Sequence, residues 1–488
     1  MWFVVLFSGM LSSILCATPL MFGVPNRIGR IDPLASMDVQ TKQSLLLIFE
    51  NLVQTNSQQE LEPVLAETWT IAEDRKSILF SLRKDHHFSD GSPVTSTQVR
   101  QSMERLCSTG SYGAIDLAGL EGCQTGHPKM EVLGPQSIRF HINVHPTLFL
   151  FQLSSSRAVI TNEKGLGSGP YVLNQTSPEE VRFIPNKHYH ALQRVANDGI
   201  RLHHIDEDTF GQALRSLNPD GTIMYRVSAT AATQDERFRI IEEPPGITLM
   251  LILNNQRFPF NDRRVRQAIL AGLYESKIAE CARGVRKAYG IIPVGLGGSL
   301  APIAPKHLPI VSLQELTKAI PKLKQAVHVT LHRHIGRKDT CEENEVKRVL
   351  KRLNIIAEFK YHADYATLWP KYLDHSIDGF LELFVFRRRE AFSILNFFLS
   401  KNKENFPNVH DATLDALISE SMSVPSPTAR FAAYREANQY ILKHALAVPI
   451  HYVAHSNFIH RCILGVPSDF DFSPFQKLML LSRKPGCL

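Results

Sequence analysis

One stretch does most to limit what this chain can fold into. Ile247 to Leu253 is a continuous apolar run of strand length, closed by Asn254-Asn255, and Pro259 forbids a central strand beyond it. Asn261 or Asp262 then offers a side-chain oxygen to cap a helix in which Val265, Ala268, Ile269 and Leu273 share one face. Arg263, Arg264 and Gln267 are expected to face elsewhere. A buried strand thus leaves one body, and a capped amphipathic helix opens the next.

At 488 residues the chain can fill two or three packed bodies, and 44% apolar with 21% charged residues reads as globular. The formal charge of +7 is spread along the chain with no basic tract interleaved with aromatics, so no nucleic-acid partner is expected. Val4 to Leu15 is too short to span a bilayer and reads as the apolar core of a secretory leader, residues 1–17, cut after Ala17. Export across the inner membrane follows. Cys16 raises a lipid-anchored alternative, but Leu15 stands where such signals want a small residue; a buried N-terminal strand is the other alternative. Six of the seven cysteines lie beyond Cys16. Cys107 and Cys123 are close enough for a local disulfide in an oxidising compartment, with free buried thiols as the alternative.

Other stretches carry order as well as pattern. Ile31-Asp32-Pro33-Leu34 precedes a helical face of Leu45, Ile48, Phe49 and Leu52. Leu61 to Trp69 and Ser77 to Arg83 read as a hairpin around Glu73-Asp74-Arg75-Lys76. Phe88-Ser89-Asp90-Gly91-Ser92-Pro93-Val94-Thr95 supplies a turn, and Thr95 with Gln98 has capping-box spacing for a helix burying Val99, Met103 and Leu106. Leu166-Gly167-Ser168-Gly169-Pro170-Tyr171 lacks the Gly-Lys-Ser/Thr of a phosphate loop, and Pro170 bars a helix there, so it reads as a turn entering a strand. Glu343 to Leu353 reads as a helix, and Phe380 to Phe386 as a buried strand.

Taken together these motifs resemble the family 5 extracellular solute-binding proteins, the oligopeptide- and dipeptide-binding subunits of ABC importers. The resemblance rests on N-x-x-x-x-P-F-N-D-x-R-V-R-Q-A-I from Asn254, the 31–106 block, Gly167-Ser168-Gly169-Pro170-Tyr171, and Ala447-Val448-Pro449-Ile450, and it covers nearly all of 31–481. It implies an α/β, two-lobe periplasmic-binding-protein fold of type II, oligopeptide-binding-like, with an extra small inserted domain. The expected division is 18–50, 165–260 and 465–488 for lobe I, 51–164 for the inserted domain, and 261–464 for lobe II.

The chemistry-bearing residues point to binding without catalysis. Among twenty histidines, His332 and His334 would share a strand face, and His86-His87, His188/His190 and His203-His204 form further pairs, none with a Cys, Asp or Glu at ligand spacing. No metal or other cofactor is therefore expected. There is no G-x-S-x-G elbow, and Glu67, Asp90 and Asp262 are explained as turn or cap residues.

The ligand site comes from the resemblance, which implies a peptide held extended in a closing cleft and paired along its main chain. One pairing segment maps to Met37, Asp38 and Val39; the other follows a tryptophan in a G-W-x-x-D motif whose aspartate binds the ligand amine. Here that segment is Leu383-Phe384-Val385-Phe386-Arg387, with Phe384 at the tryptophan and Arg387 at the aspartate. Two buried cations repel, whereas a guanidinium holds a carboxylate or phosphate bidentately. Three readings stay open: an acidic or amino-blocked ligand such as a cell-wall peptide, a slipped register that brings in Glu382 or Glu390, or a solvated Arg387-Arg388-Arg389 loop. Tyr112 matches a cleft tyrosine of the family. The expected activity is capture by a monomer, by hinge closure, and delivery to an ABC permease with its ATPase subunits; a secreted peptide-binding chaperone or adhesin is the alternative.

Overall fold

The computed structural model describes residues 19–487 apart from 35–38, 57–59, 109–116, 207–208, 226–234, 243–244, 282–284, 302–311, 335–339, 363–364, 386–390, 403, 425, 455 and 467–474. The leader 1–17 and Cys16 lie outside the described residues, and among these no helix is long and apolar enough to cross a membrane.

Strand β1 (Leu20–Val24) leads to helix α1 (Val39–Ile48). A small four-stranded antiparallel sheet follows, built from β2 (Ala66–Ile71), β3 (Ser77–Leu82), β4 (Met130–Gly134) and β5 (Ser137–His141) in the order β2-β3-β5-β4. Helix α2 (Ser96–Leu106) packs on β4 and β5, burying Val99, Met103 and Leu106. Its first turn is closed by Thr95 and Gln98, whose side-chain oxygen accepts from the Thr95 amide at 3.1 Å. The expected hairpin is β2 against β3, with Ile71 opposite Ile78.

The chain then returns through β6 (Tyr171–Thr176), β7 (Glu180–Pro185), β8 (Ile200–His204), β9 (Gly221–Tyr225) and β10 (Phe238–Glu242). Next come β11 (Ile247–Leu253), α3 (Arg263–Glu275), β12 (Val285–Lys287), β13 (Val327–His334), α4 (Cys341–Lys351), β14 (Ile355–His362), β15 (Gly379–Val385), α5 (Pro427–Lys443), β16 (Val448–Val453) and β17 (Ser456–His460). Two larger sheets result: a seven-stranded one ordered β6-β7-β8-β1-β9-β17-β10, and a six-stranded one ordered β12-β16-β11-β15-β13-β14.

The apolar run at 247–253 has a direct physical cause. All seven residues of β11 are buried, because the strand is paired on both sides and covered on both faces. Met250 and Ile252 enter one core cluster, while Leu249, Leu251 and Leu253 enter another that also takes Val265, Ala268, Ile269 and Leu273 of α3. Asp262 caps α3 by accepting from the Arg264 amide at 2.9 Å. In the first sheet, Leu20, Phe22 and Val24 share a core with Phe475, Leu478 and Leu481, so the C-terminal segment packs on β1.

The pairing corrects the expected boundaries. β11 lies before the 260/261 division yet belongs to the six-stranded sheet, and β17 lies before 464 yet pairs with β9 and β10 in the seven-stranded sheet. A continuous apolar run reports burial on both faces but does not say which sheet supplies the neighbours. The chain changes sheet between Glu242 and Ile247, and again between Val453 and Ser456.

Candidate functional site

The sheet directions locate a cleft. β1, β8 and β9 run parallel and end at Val24, His204 and Tyr225. Ser456 stands opposite both Tyr225 and Glu242, so β10 ends and β17 begins on that same edge. In the second sheet Ile247 faces both Val385 and Val453; β11 therefore begins where β15 and β16 end. β13 and β14 run parallel to β15, which brings His334 and His362 to this edge as well. Both crossings join these two edges, and three Cα steps separate Val453 from Ser456, so the edges stand within about 11 Å there. Ligands of open α/β sheets bind beyond the carboxyl ends of the strands, where backbone groups and loops are free to meet them.

The start of α1 is tied to this edge. The Gly29 amide donates to Thr41 Oγ1 at 2.8 Å, and Asn26 Nδ2 to Gln40 Oε1 at 3.0 Å, which holds the segment after β1 against the first turn of the helix. Val39 opens that helix. Val385 ends β15 beside Ile247, while Phe384, opposite Thr248, turns into a buried cluster with Phe380 and Phe397 at 6.1 Å from each. Met37, Asp38, Tyr112, Phe386 and Arg387 lie outside the described residues.

Several charged and imidazole groups converge on the same end of the second sheet, and only part of this was signalled by spacing. His332 Nδ1 and His362 Nε2 share a hydrogen bond at 2.8 Å with their rings stacked, so one donates and the other accepts. Burial, then the neighbouring His362, pushes His332 down to about 4. The His332/His334 alternation was visible; the partner on β14 was not. Glu382 accepts from the His334 amide at 2.6 Å, and burial raises its pKa. Arg333 donates to Glu343 Oε1 at 2.6 Å, while Tyr361 donates to the other oxygen at 2.7 Å. These pairs brace the strand ends. A separate cavity of about 470 Å³ lies on the seven-stranded sheet, but its cations are already used: Arg201 pairs with Glu180 and Arg483 with Asp220.

The family described as bacterial extracellular solute-binding proteins, family 5 (middle region), matches residues 60–403. The chain belongs to this family. The Escherichia coli K12 protein described as the probable deoxycholate-binding periplasmic protein YgiS is 24% identical, over 90% of this chain and 89% of that protein. The periplasmic oligopeptide-binding protein OppA of the same organism is 23% identical, over 86% of this chain and 84% of its own length. Among solved structures, the Helicobacter pylori periplasmic binding protein DppA in complex with peptide STSA superposes with a TM-score of 0.78 at 17% identity, covering 96% of this chain and 98% of that one. The fold of this solute-binding protein is accordingly the two-lobe periplasmic-binding architecture of the oligopeptide-binding type, with a small additional domain. Family relatives are binding proteins.

Proposed function

We propose that this family 5 solute-binding protein captures short peptides in the cleft between its two large sheets and delivers them, as a monomer, to an ABC permease driven by its ATPase subunits. The observation that carries this reading is the match to peptide-binding relatives over 86% and 90% of the chain, more than either lobe alone could supply. In this reading the seven-stranded sheet with the C-terminal segment is lobe I, residues 51–164 the inserted domain, and the six-stranded sheet lobe II. Residues 37–39 and 384–387 pair with the ligand main chain, Tyr112 lines the cleft, and Arg387 faces an acidic group of the ligand. The protein works outside the inner membrane, in the cell envelope. Three cysteine pairs support that compartment: Cys107–Cys123, Cys281–Cys341 and Cys462–Cys487.

Native mass spectrometry of the protein as purified, repeated after partial unfolding to strip carried-over ligand, tests this. A set of bound masses spaced by amino-acid residues is expected. A protein that carries no ligand and gains no thermal stability from a mixed peptide pool would overturn the reading.

A further inference from the structure

Three side chains that no sequence spacing groups together converge where the first lobe meets the small domain. Glu50 opens a short strand, Glu50–Asn51, two residues after α1, His86 lies in the turn after β3, and His190 lies in the turn after β7. Their donor atoms all lie within 4.8 Å of one another. Glu50 Oε1 is 3.8 Å from His86 Nε2 and 3.8 Å from His190 Nδ1, and the two rings stack with centroids 3.8 Å apart. The Glu50 and His86 side chains are only 1% and 3% exposed, whereas His190 forms the wall toward solvent.

The hydrogen-bond pattern leaves this cluster electrostatically incomplete. The Glu50 carboxylate is fully buried, with the Ser168 hydroxyl as the hydrogen-bonding neighbour that offsets only part of that burial. Asp85 Oδ1 sits 3.1 Å from His86 Nδ1 and takes its hydrogen bond. That leaves Nε2 as a lone pair aimed at a carboxylate. A buried carboxylate facing the His86 lone pair is unfavourable unless a cation or a proton lies between them.

We propose that Glu50, His86 and His190 form a binding site for a divalent transition metal of the zinc class, clamping the small domain to the first lobe. Two imidazoles and one carboxylate are a donor set that zinc accepts with a fourth position open, and His190 places that position toward solvent. Imidazole nitrogens disfavour calcium and magnesium, which want oxygen. Zinc–ligand bonds of 2.0–2.1 Å in a tetrahedron put donor atoms about 3.3 Å apart. The 3.8 Å separations from Glu50 to each imidazole need a closure of about half an ångström, and the His190 ring must turn out of its stack with His86 so that both in-plane lone pairs meet the ion, within reach of side-chain rotation. The Asp85–His86 contact is the outer carboxylate that orients a metal-ligating imidazole. The backbone beneath is also rigid. Gly169 donates to the Ile48 carbonyl at 2.7 Å, and a Cβ on Gly167 would meet that carbonyl oxygen at 2.2 Å, so the Gly167-Ser168-Gly169 turn is held against the end of α1.

The competing occupant is a proton, since burial raises Glu50 to about 8. Tag-free, chelator-stripped full-length protein titrated with zinc chloride by calorimetry separates the two. One zinc per chain is expected, with binding weakened about tenfold or more in Glu50→Gln and in His190→Gln and about tenfold in Asp85→Asn. It should be unchanged in His127→Ala, which alters an exposed imidazole elsewhere. Cobalt as a spectroscopic probe should give the visible bands of a four-coordinate ion in the parent and lose them in His190→Gln, a surface change that spares the core. Absence of stoichiometric binding, or equal affinity in Glu50→Gln with a parental circular-dichroism spectrum, would overturn the proposal in favour of the proton.

Discussion

The R-x-x-R-Q spacing at the start of α3 is a capping device for another helix. Arg263 and Gln267 both donate to the carbonyl of Lys443, at 3.0 and 2.9 Å. Arg266 donates to Ala445 at 3.0 Å, His444 at 3.2 Å and its own neighbour Phe260 at 2.8 Å. The Lys443 and His444 carbonyls stand at the C-terminal end of α5 and that of Ala445 just beyond it, where the helix dipole also favours positive charge. Arg266 is 6% exposed, and burial pulls its pKa down to about 10, so it stays charged at neutral pH. Arg266→Ala would strand two buried carbonyls and a half-buried third, and is expected to cost about 3 kcal/mol in urea unfolding. Arg264→Ala, which removes only a surface pairing with Asp262, is expected to stay within about 1 kcal/mol. Equal midpoints for the two variants would contradict the capping role. The expectation that Gln267 faces away from the core is corrected here, because the acceptor lies 176 residues downstream and leaves no trace in local spacing.

At the scale of the sheet, the buried imidazoles set a pH limit. Burial pushes both His332 on β13 and His451 on β16 down to about 4. An unfolded imidazole takes its proton near pH 6.5. The folded chain therefore binds fewer protons than the unfolded chain between pH 6.5 and 4, so stability is full above that window and falls as the pH drops through it. The urea midpoint should decline steadily from pH 6.5 toward pH 4.5, the depressed histidines outweighing the opposing contribution of buried Glu50. His451→Leu, replacing an imidazole that is 3% exposed and whose Nδ1 has no partner, should make the decline shallower. A midpoint unchanged down to pH 4.5 would show that these groups titrate normally. Much of this sheet was legible: the seven apolar residues of β11, the Asp262 cap and the apolar face of α4 follow from period and capping chemistry. Strand neighbours were not, because pairing of β11 with β15 and β16 joins segments over a hundred residues apart, and alternation alone carries no address. The Glu50–His86–His190 cluster escaped for the same reason. Its carboxylate comes from a two-residue strand and its imidazoles from two separate turns, each ordinary by itself.

Across the whole molecule, the same topology that places the cleft also lets it move. Each large sheet has its own apolar core, one gathering β1 with the C-terminal segment and the others flanking β11. Neither core depends on side chains from the other sheet's strands, so each lobe can rotate as a body while its interior stays close-packed. The chain passes between the two sheets twice, after Glu242 and after Val453, and closure about those two crossings is expected. The strand ends approach as the hinge closes, so a ligand that pairs with both edges stabilises the closed form by the contacts it gains only there. Small-angle scattering of ligand-stripped protein before and after a peptide pool is added should therefore show a smaller radius of gyration at constant monomeric mass. The change should reverse on stripping. Identical curves in both states, with binding confirmed in the same sample, would mean that the cleft is rigid and that recognition works without closure. A rise in mass would instead place the ligand between two copies of the chain.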